Sequence, residues 1–201
     1  QWAVGDPQYD IEVRRNIYEN LTGDVLVVGS GGGYGLLSLT KASTITAVEL
    51  DPGVVSAMKG PLAKYNRNIY NRIDQVYAGD GRAFLDRTDR KFDVIIFEAA
   101  DLSYSTTLHS FISIENYLYT VEGIKKGLDH LRADGIFVIL VTKELIPAPK
   151  FINALPGDVN WRLFEGHVSV MKNIPMNFDL IMASRSQEKI LWWDGYLKRP
   201  E

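Results

Sequence analysis

Four carboxylates stand where short apolar runs give out. Glu49 closes TITAVE, Asp80 follows QVYAG, and Glu98 and Asp101 follow FDVIIF. The last two are separated by only two residues, a spacing that suits a cationic or protonatable substrate. A primary amine is mostly ammonium at neutral pH, with a pKa near ~10.4 for a lysine-like group, and must lose a proton before it can attack an electrophilic carbon. A carboxylate can hold the ammonium by charge and then accept its proton as a general base. Plainer roles exist for each acid. Glu49 could be a surface acid, Asp80 could cap a helix beginning at Gly81, and Asp101 could turn a loop. Glu98 follows a run too apolar for an incidental surface acid.

The second constellation is made of glycines. Gly29, Gly31, Gly32, Gly33 and Gly35 crowd between Val28 and Leu36. Glycine accepts positive φ and lets a ligand touch bare backbone. A dinucleotide fingerprint needs glycines at i, i+2 and i+5; here Tyr34 takes the last place. Gly29, Gly31 and Gly33 fall instead at i, i+2 and i+4, which resembles the first motif of class I S-adenosylmethionine-dependent transferases. These bind a nucleoside without a pyrophosphate. Glu49, at the end of the next strand, can accept hydrogen bonds from both ribose hydroxyls.

To hold these groups together the chain needs parallel strands. Runs over 24–28, 44–50, 74–79, 92–97 and 136–141 read as strands, the valine-rich 24–28 and the nearly all-apolar 92–97 as buried ones. Helical segments are expected over 9–21, from 36, over 53–65 with a kink at Gly60-Pro61, over 81–87 and over 115–131. Alternating β and α argues for a parallel sheet with crossover helices. The stretch 143–156 carries three prolines and has room only for a short helix. Runs over 162–171 and 178–183, joined by NIPMN, read as an antiparallel hairpin. The expected fold is α/β and Rossmann-like: the class I methyltransferase fold, seven strands, mostly parallel, ending in an antiparallel hairpin. In such a sheet ligands lie beyond the carboxyl ends of the strands, where all four acids fall.

A chain of 201 residues is expected to be a single adenosyl-donor-binding transferase domain. It divides into a lead-in helix over 1–23, a nucleotide-binding core over 24–143, and a hairpin and tail over 144–201. A net charge of -3 leaves no electrostatic footprint for nucleic acid. Without cysteine there is no disulfide, thiol nucleophile or thiolate metal site, which fits a cytoplasmic location. No apolar stretch reaches membrane-spanning length. The N-terminus does not read as a signal peptide. It opens on Gln1 rather than methionine, as a segment cut from a longer protein would. No histidine–carboxylate spacing suggests a metal. His109 and Tyr104, in the long loop 99–114, are placed to line the site. His130 and His167 fit ordinary structural or surface roles, and Tyr117 and Tyr119 fit packing. Trp192-Trp193 reads as a packing lid or partner contact.

Taken together, VLVVGSGGGYG, TAVELDPGVV, YAGDGRAFL and FDVIIFEAAD resemble the polyamine aminopropyltransferases, the spermidine and spermine synthase family. With YNRNIYNR and SIENYLYTVEGIKKGLDHL, the chain is most similar to spermidine synthase-like domains attached to multi-pass membrane segments. The resemblance spans roughly residues 9–141. It implies that Glu49 binds the ribose of the donor and Asp80, with Gly81, the adenine side. It places Glu98 and Asp101 at the acid pair that binds and deprotonates the amine, and Tyr9 at the edge of the amine site. Glutamate stands at 98 where the family carries aspartate, and Leu102 where it carries proline.

The expected function is transfer of an aminopropyl group from decarboxylated S-adenosylmethionine, with no metal, to a polyamine-type amine. One alternative is a methyltransferase using intact S-adenosylmethionine, its carboxylate met by Arg14 or Arg15. Another is a non-catalytic adenosyl-binding module of a membrane-associated protein. The expected partners are a small-molecule amine, a membrane segment outside this chain and a second copy in a homodimer, with no nucleic acid.

Overall fold

The computed structural model describes residues 12–98, 118–142, 148–171 and 174–197. Strands β1 (Gly23–Val28), β2 (Ala42–Glu49), β3 (Gln75–Ala78), β4 (Phe92–Phe97), β5 (Leu131–Thr142), β6 (Asn160–Met171) and β7 (Ile174–Ser184) form one sheet. Its order is β3-β2-β1-β4-β5-β7-β6. Neighbours from β3 to β5 are parallel, and β7 runs antiparallel to both β5 and β6. This is the Rossmann-like architecture of class I methyltransferases, as the alternation of apolar runs implied.

Strand periodicity builds two cores. Val25, Val27, Val94, Ile96, Val138 and Leu140 point to one face. There they meet Ile17 and Tyr18 of α1 (Glu12–Tyr18), Met58 of α2 (Pro52–Lys59) and Trp193 of α6 (Gln187–Leu197). Leu26, Val28, Ile95, Phe97, Phe137 and Ile139 point to the other. Their partners are Leu85 of α3 (Gly81–Arg87), Ile124 and Leu128 of α4 (Val121–Asp129) and Phe151 of α5 (Ala148–Ile152). Strands buried on both faces have no polar side to show, which is why they read as unbroken apolar runs.

Several expected elements differ. The segment after the glycines is a single 3-10 turn, Gly35–Ser38, because β2 begins at Ala42 and leaves no room for an α-helix. The kinked helix 53–65 is instead α2, which stops at Lys59. Pro61 disfavours the α conformation of Gly60, and the chain continues in turns. α4 starts at Val121, where the Thr120 hydroxyl accepts from Gly123 N at 3.1 Å; residues 115–117 lie outside the described residues. Leu131 joins β5 rather than the helix and pairs with Phe92. Helix α6 has no counterpart in the sequence reading. Within it Trp193 is buried while Trp192 is exposed and stacks on Tyr196 at 5.3 Å. None of the described helices is long and apolar enough to cross a membrane.

Candidate active site

Sheet order reverses between β1 and β4, and the chain leaves both strands at neighbouring points. Glu98 N donates to Val28 O at 2.8 Å, so the glycine bend and the acid after β4 start side by side. Such a switch point opens a crevice beyond the strand ends.

The bend uses its glycines as their spacing suggested. Gly29, Gly31 and Gly33 have φ of 83°, 51° and 82°, where a Cβ would be strained. Gly29 N and Ser30 N donate to Val48 O at 2.8 and 3.3 Å, tying the bend to the end of β2. Glu49 reinforces the tie. Its Oε2 accepts from Gly31 N at 2.7 Å and its Oε1 from Asp51 N at 3.1 Å. At 9% exposure it is no surface acid. Each carboxylate oxygen has a second lone pair for another donor.

One strand further out, Gly79 N donates to Glu49 O at 2.8 Å, which puts Asp80 next along the same edge. Asp80 Oδ1 accepts from Ala83 N at 2.9 Å and caps α3, so the plainer role expected for it is filled. Gly81 is a packing requirement: a Cβ there would lie 2.2 Å from Val28 Cγ1. The N-terminus of α3 can therefore sit directly against the end of β1.

Glu98 turns back onto the bend. A Cβ on Gly35 would lie 2.1 Å from Glu98 Oε1 and 2.4 Å from Oε2, so the carboxyl group rests directly on the Gly35 main chain. The ends of β1, β2, β3 and β4 thus gather Gly29, Gly31, Gly33, Glu49, Asp80, Gly81 and Glu98 along one edge of the sheet. Asp101, Tyr104, His109 and Tyr9 lie outside the described residues.

Three residues at this edge were not singled out from the sequence: Ser30, Asn66 and Tyr70. Tyr70 Oη lies 2.6 Å from both Ser30 Oγ and Gly31 O. Burial pushes its pKa up strongly. The Ser30 hydrogen bond pulls against that, and the charges of Glu49 and Glu98 add to the rise. The phenol is therefore protonated across the neutral range. YNRNIYNR has no regular period, and only a fold in hand shows that it reaches the bend.

Residues outside the edge have structural work. His130 ends α4, its ring nitrogens 2.8 Å from Lys126 O and 3.1 Å from Thr88 O. Tyr119 packs edge-on against Phe97 and Phe151.

The polyamine aminopropyltransferase of Escherichia fergusonii is 37% identical over 82 residues, 39% of this chain. The matched part is 28% of that relative's length. A spermidine synthase in complex with the transition-state analogue AdoDATO has a similar fold, with a TM-score of 0.62 at 17% identity over 90% of this chain and 59% of that one. Human methyltransferase-like protein 13 in complex with SAH gives a TM-score of 0.57 at 16% identity, over 94% of this chain and 87% of that one. The spermine/spermidine synthase domain matches residues 17–156, and the chain belongs to that family.

Proposed function

We propose that the chain transfers an aminopropyl group from decarboxylated S-adenosylmethionine to a small polyamine-type amine. The adenosyl moiety lies over the bend at Gly29, Gly31 and Gly33. Glu49 takes the ribose hydroxyls on its remaining lone pairs, and Asp80, beside Gly81, takes the adenine amino group. Glu98 and Asp101 hold the acceptor as its ammonium form and take a proton from it, while Tyr9, Tyr104 and His109 line the amine's approach. The freed nitrogen lone pair attacks the methylene carbon next to the sulfonium. A C–N bond forms, the C–S bond breaks, and its electron pair stays on sulfur as methylthioadenosine leaves.

The observation that carries this reading is the Glu98 carboxyl group resting on Gly35. It puts a negative group against the bend that would hold the donor. General-base assistance of this kind contributes about 10²–10⁴-fold. Carboxylates at Glu49 and Glu98 suit a donor that bears a sulfonium and an amine. They disfavour one that also carries a carboxylate, because like charges held close in a partly buried site repel.

The test is turnover. Incubated with decarboxylated donor and a panel of diamines, the protein forms methylthioadenosine and an aminopropylated amine in equal amounts. Glu98→Gln lowers the rate by about 10²-fold or more. Methylated product from the intact donor, with no methylthioadenosine from the decarboxylated one, establishes a methyltransferase instead. Donor binding without turnover on any amine establishes a non-catalytic module.

A further inference from the structure

One short segment, 66–70, holds the glycine bend from beneath. Tyr70 donates to Gly31 O at 2.6 Å. A phenol has one proton, so the 2.6 Å contact with Ser30 Oγ is a hydrogen bond that Tyr70 accepts. Asn66 Nδ2 donates to Gly32 O at 3.2 Å. Ile69 presses on the next residue, since a Cβ on Gly33 would lie 2.9 Å from Ile69 Cγ2. All three side chains are buried, with Asn66 at 0% exposure.

Two features say that this arrangement is not mere filling. Arg67 and Asn68 take φ of 52° and 60°, a conformation that non-glycine residues rarely adopt and that needs support from its surroundings. Asn66 Oδ1 is buried with no hydrogen-bond partner among the described residues. An orphaned acceptor is costly, and a leucine of similar size would avoid the cost. What the amide does supply is its other end, the N–H on Gly32 O.

The consequence follows from the planarity of the peptide. In a trans peptide the C=O and the following N–H point in opposite directions. With Gly31 O aimed at Tyr70, the Gly32 N–H is aimed away from it. Glu49 meanwhile holds the Gly31 N–H. On Gly31 itself a Cβ would meet nothing within 4 Å among the described residues, so among these residues this stretch of main chain borders open space. Successive glycines are the freest backbone there is. A loop fixed before the ligand arrives binds it with less entropy to lose.

We propose that Tyr70 and Asn66 are positioning residues that set donor affinity by fixing the two peptides Gly31–Gly32 and Gly32–Gly33. This rests on the adenosyl-donor reading above. The high pKa of Tyr70 keeps the donated proton in place.

The test compares wild type with Tyr70→Phe, which keeps the ring, and with Asn66→Leu, which removes the orphaned acceptor along with the donor. In the unliganded proteins, amide exchange over 29–34 is about tenfold faster in Tyr70→Phe, while β4 and β5 exchange as in wild type. The Kd for methylthioadenosine rises about tenfold, and the KM for the donor rises by more than the KM for the amine. Asn66→Leu weakens nucleoside binding while its melting temperature stays level or rises, a split that a purely structural role does not produce. Unchanged exchange over 29–34 overturns the proposal. So does faster exchange spread evenly across the sheet, or a Kd that holds in both variants. If wild type itself binds no methylthioadenosine, the donor reading fails and with it the affinity claim; the exchange data then still show whether Tyr70 fixes the bend.

Discussion

At the scale of single residues, Asp80 has an observed structural role and a proposed binding role, and the two can be separated. Asp80 caps α3 through Oδ1, and in the proposed function its second oxygen takes the adenine amino group. Asparagine is as good a cap as aspartate, whereas alanine forfeits about 1 kcal/mol. Asp80→Ala is therefore expected to lower unfolding free energy by about that amount in urea titrations. Asp80→Asn keeps its stability but presents an NH₂ to the adenine amino group and binds methylthioadenosine more weakly. Equal affinity in Asp80→Asn and wild type would leave Asp80 only its cap. The cap made by Asp80 was legible in GDG, because capping is a local pattern; the adenine contact was implied only by the family resemblance. The tie between Glu49 and Gly31 was not legible: it needs the ends of β1 and β2 side by side. Nor was the contact with Gly35 of the Glu98 carboxyl group, which arrives from a strand far along the chain.

At the scale of elements, what was legible tracks what is local. The central strands β1 and β4 declared themselves because burial on both faces makes most of their residues apolar, and α3 because Asp80 and Gly81 mark its start. Helix α6 escaped because its apolar residues do not keep to one face: Ile190 and Trp193 are buried beside exposed Leu191 and Trp192. The buried pair is what docks it on the sheet. Trp193→Ala is expected to cost about 3–5 kcal/mol, as for a large side chain lost from a core. Trp192→Ala, which loses ring contacts with Tyr196 and Trp193 on an exposed face, is expected to cost about 1–2 kcal/mol. Chemical denaturation of the two variants checks the contrast, and similar losses in both would mean that α6 is not anchored as described. Segment 66–70 escaped for another reason. Its order comes from the bend it supports, and its own sequence has no period to betray it.

At the scale of the whole molecule, the two ends of the sheet divide the work. The carboxyl ends carry the candidate site; the amino ends of β1, β4 and β5 are laced by charge. Arg90 reaches Asp24 at 3.1 Å, Asp93 accepts from Asp24 N at 2.8 Å, and Arg132 bonds Asp93 at 2.5 Å. Burial would raise the Asp93 carboxyl, but the Asp24 N–H and the Arg132 guanidinium together outweigh it and hold its pKa below the ordinary 3.8. A carboxylate depressed in the folded state adds stability above its unfolded pKa and loses it as pH falls through the folded one. Asp93→Asn is thus expected to be less stable than wild type from neutral pH down to about 4, with the gap closing in stronger acid. Denaturation at a series of pH values checks this, and kcat should not follow it. The central claim concerns the other end, where bare main chain and Glu49 receive an adenosine. Calorimetric titration of methylthioadenosine into wild type and Glu49→Gln tests it most directly. The account predicts saturable binding to wild type and affinity at least about tenfold lower in Glu49→Gln, as expected for losing a charged hydrogen-bond acceptor. Absence of binding to wild type, or equal affinity in the two proteins, would contradict it.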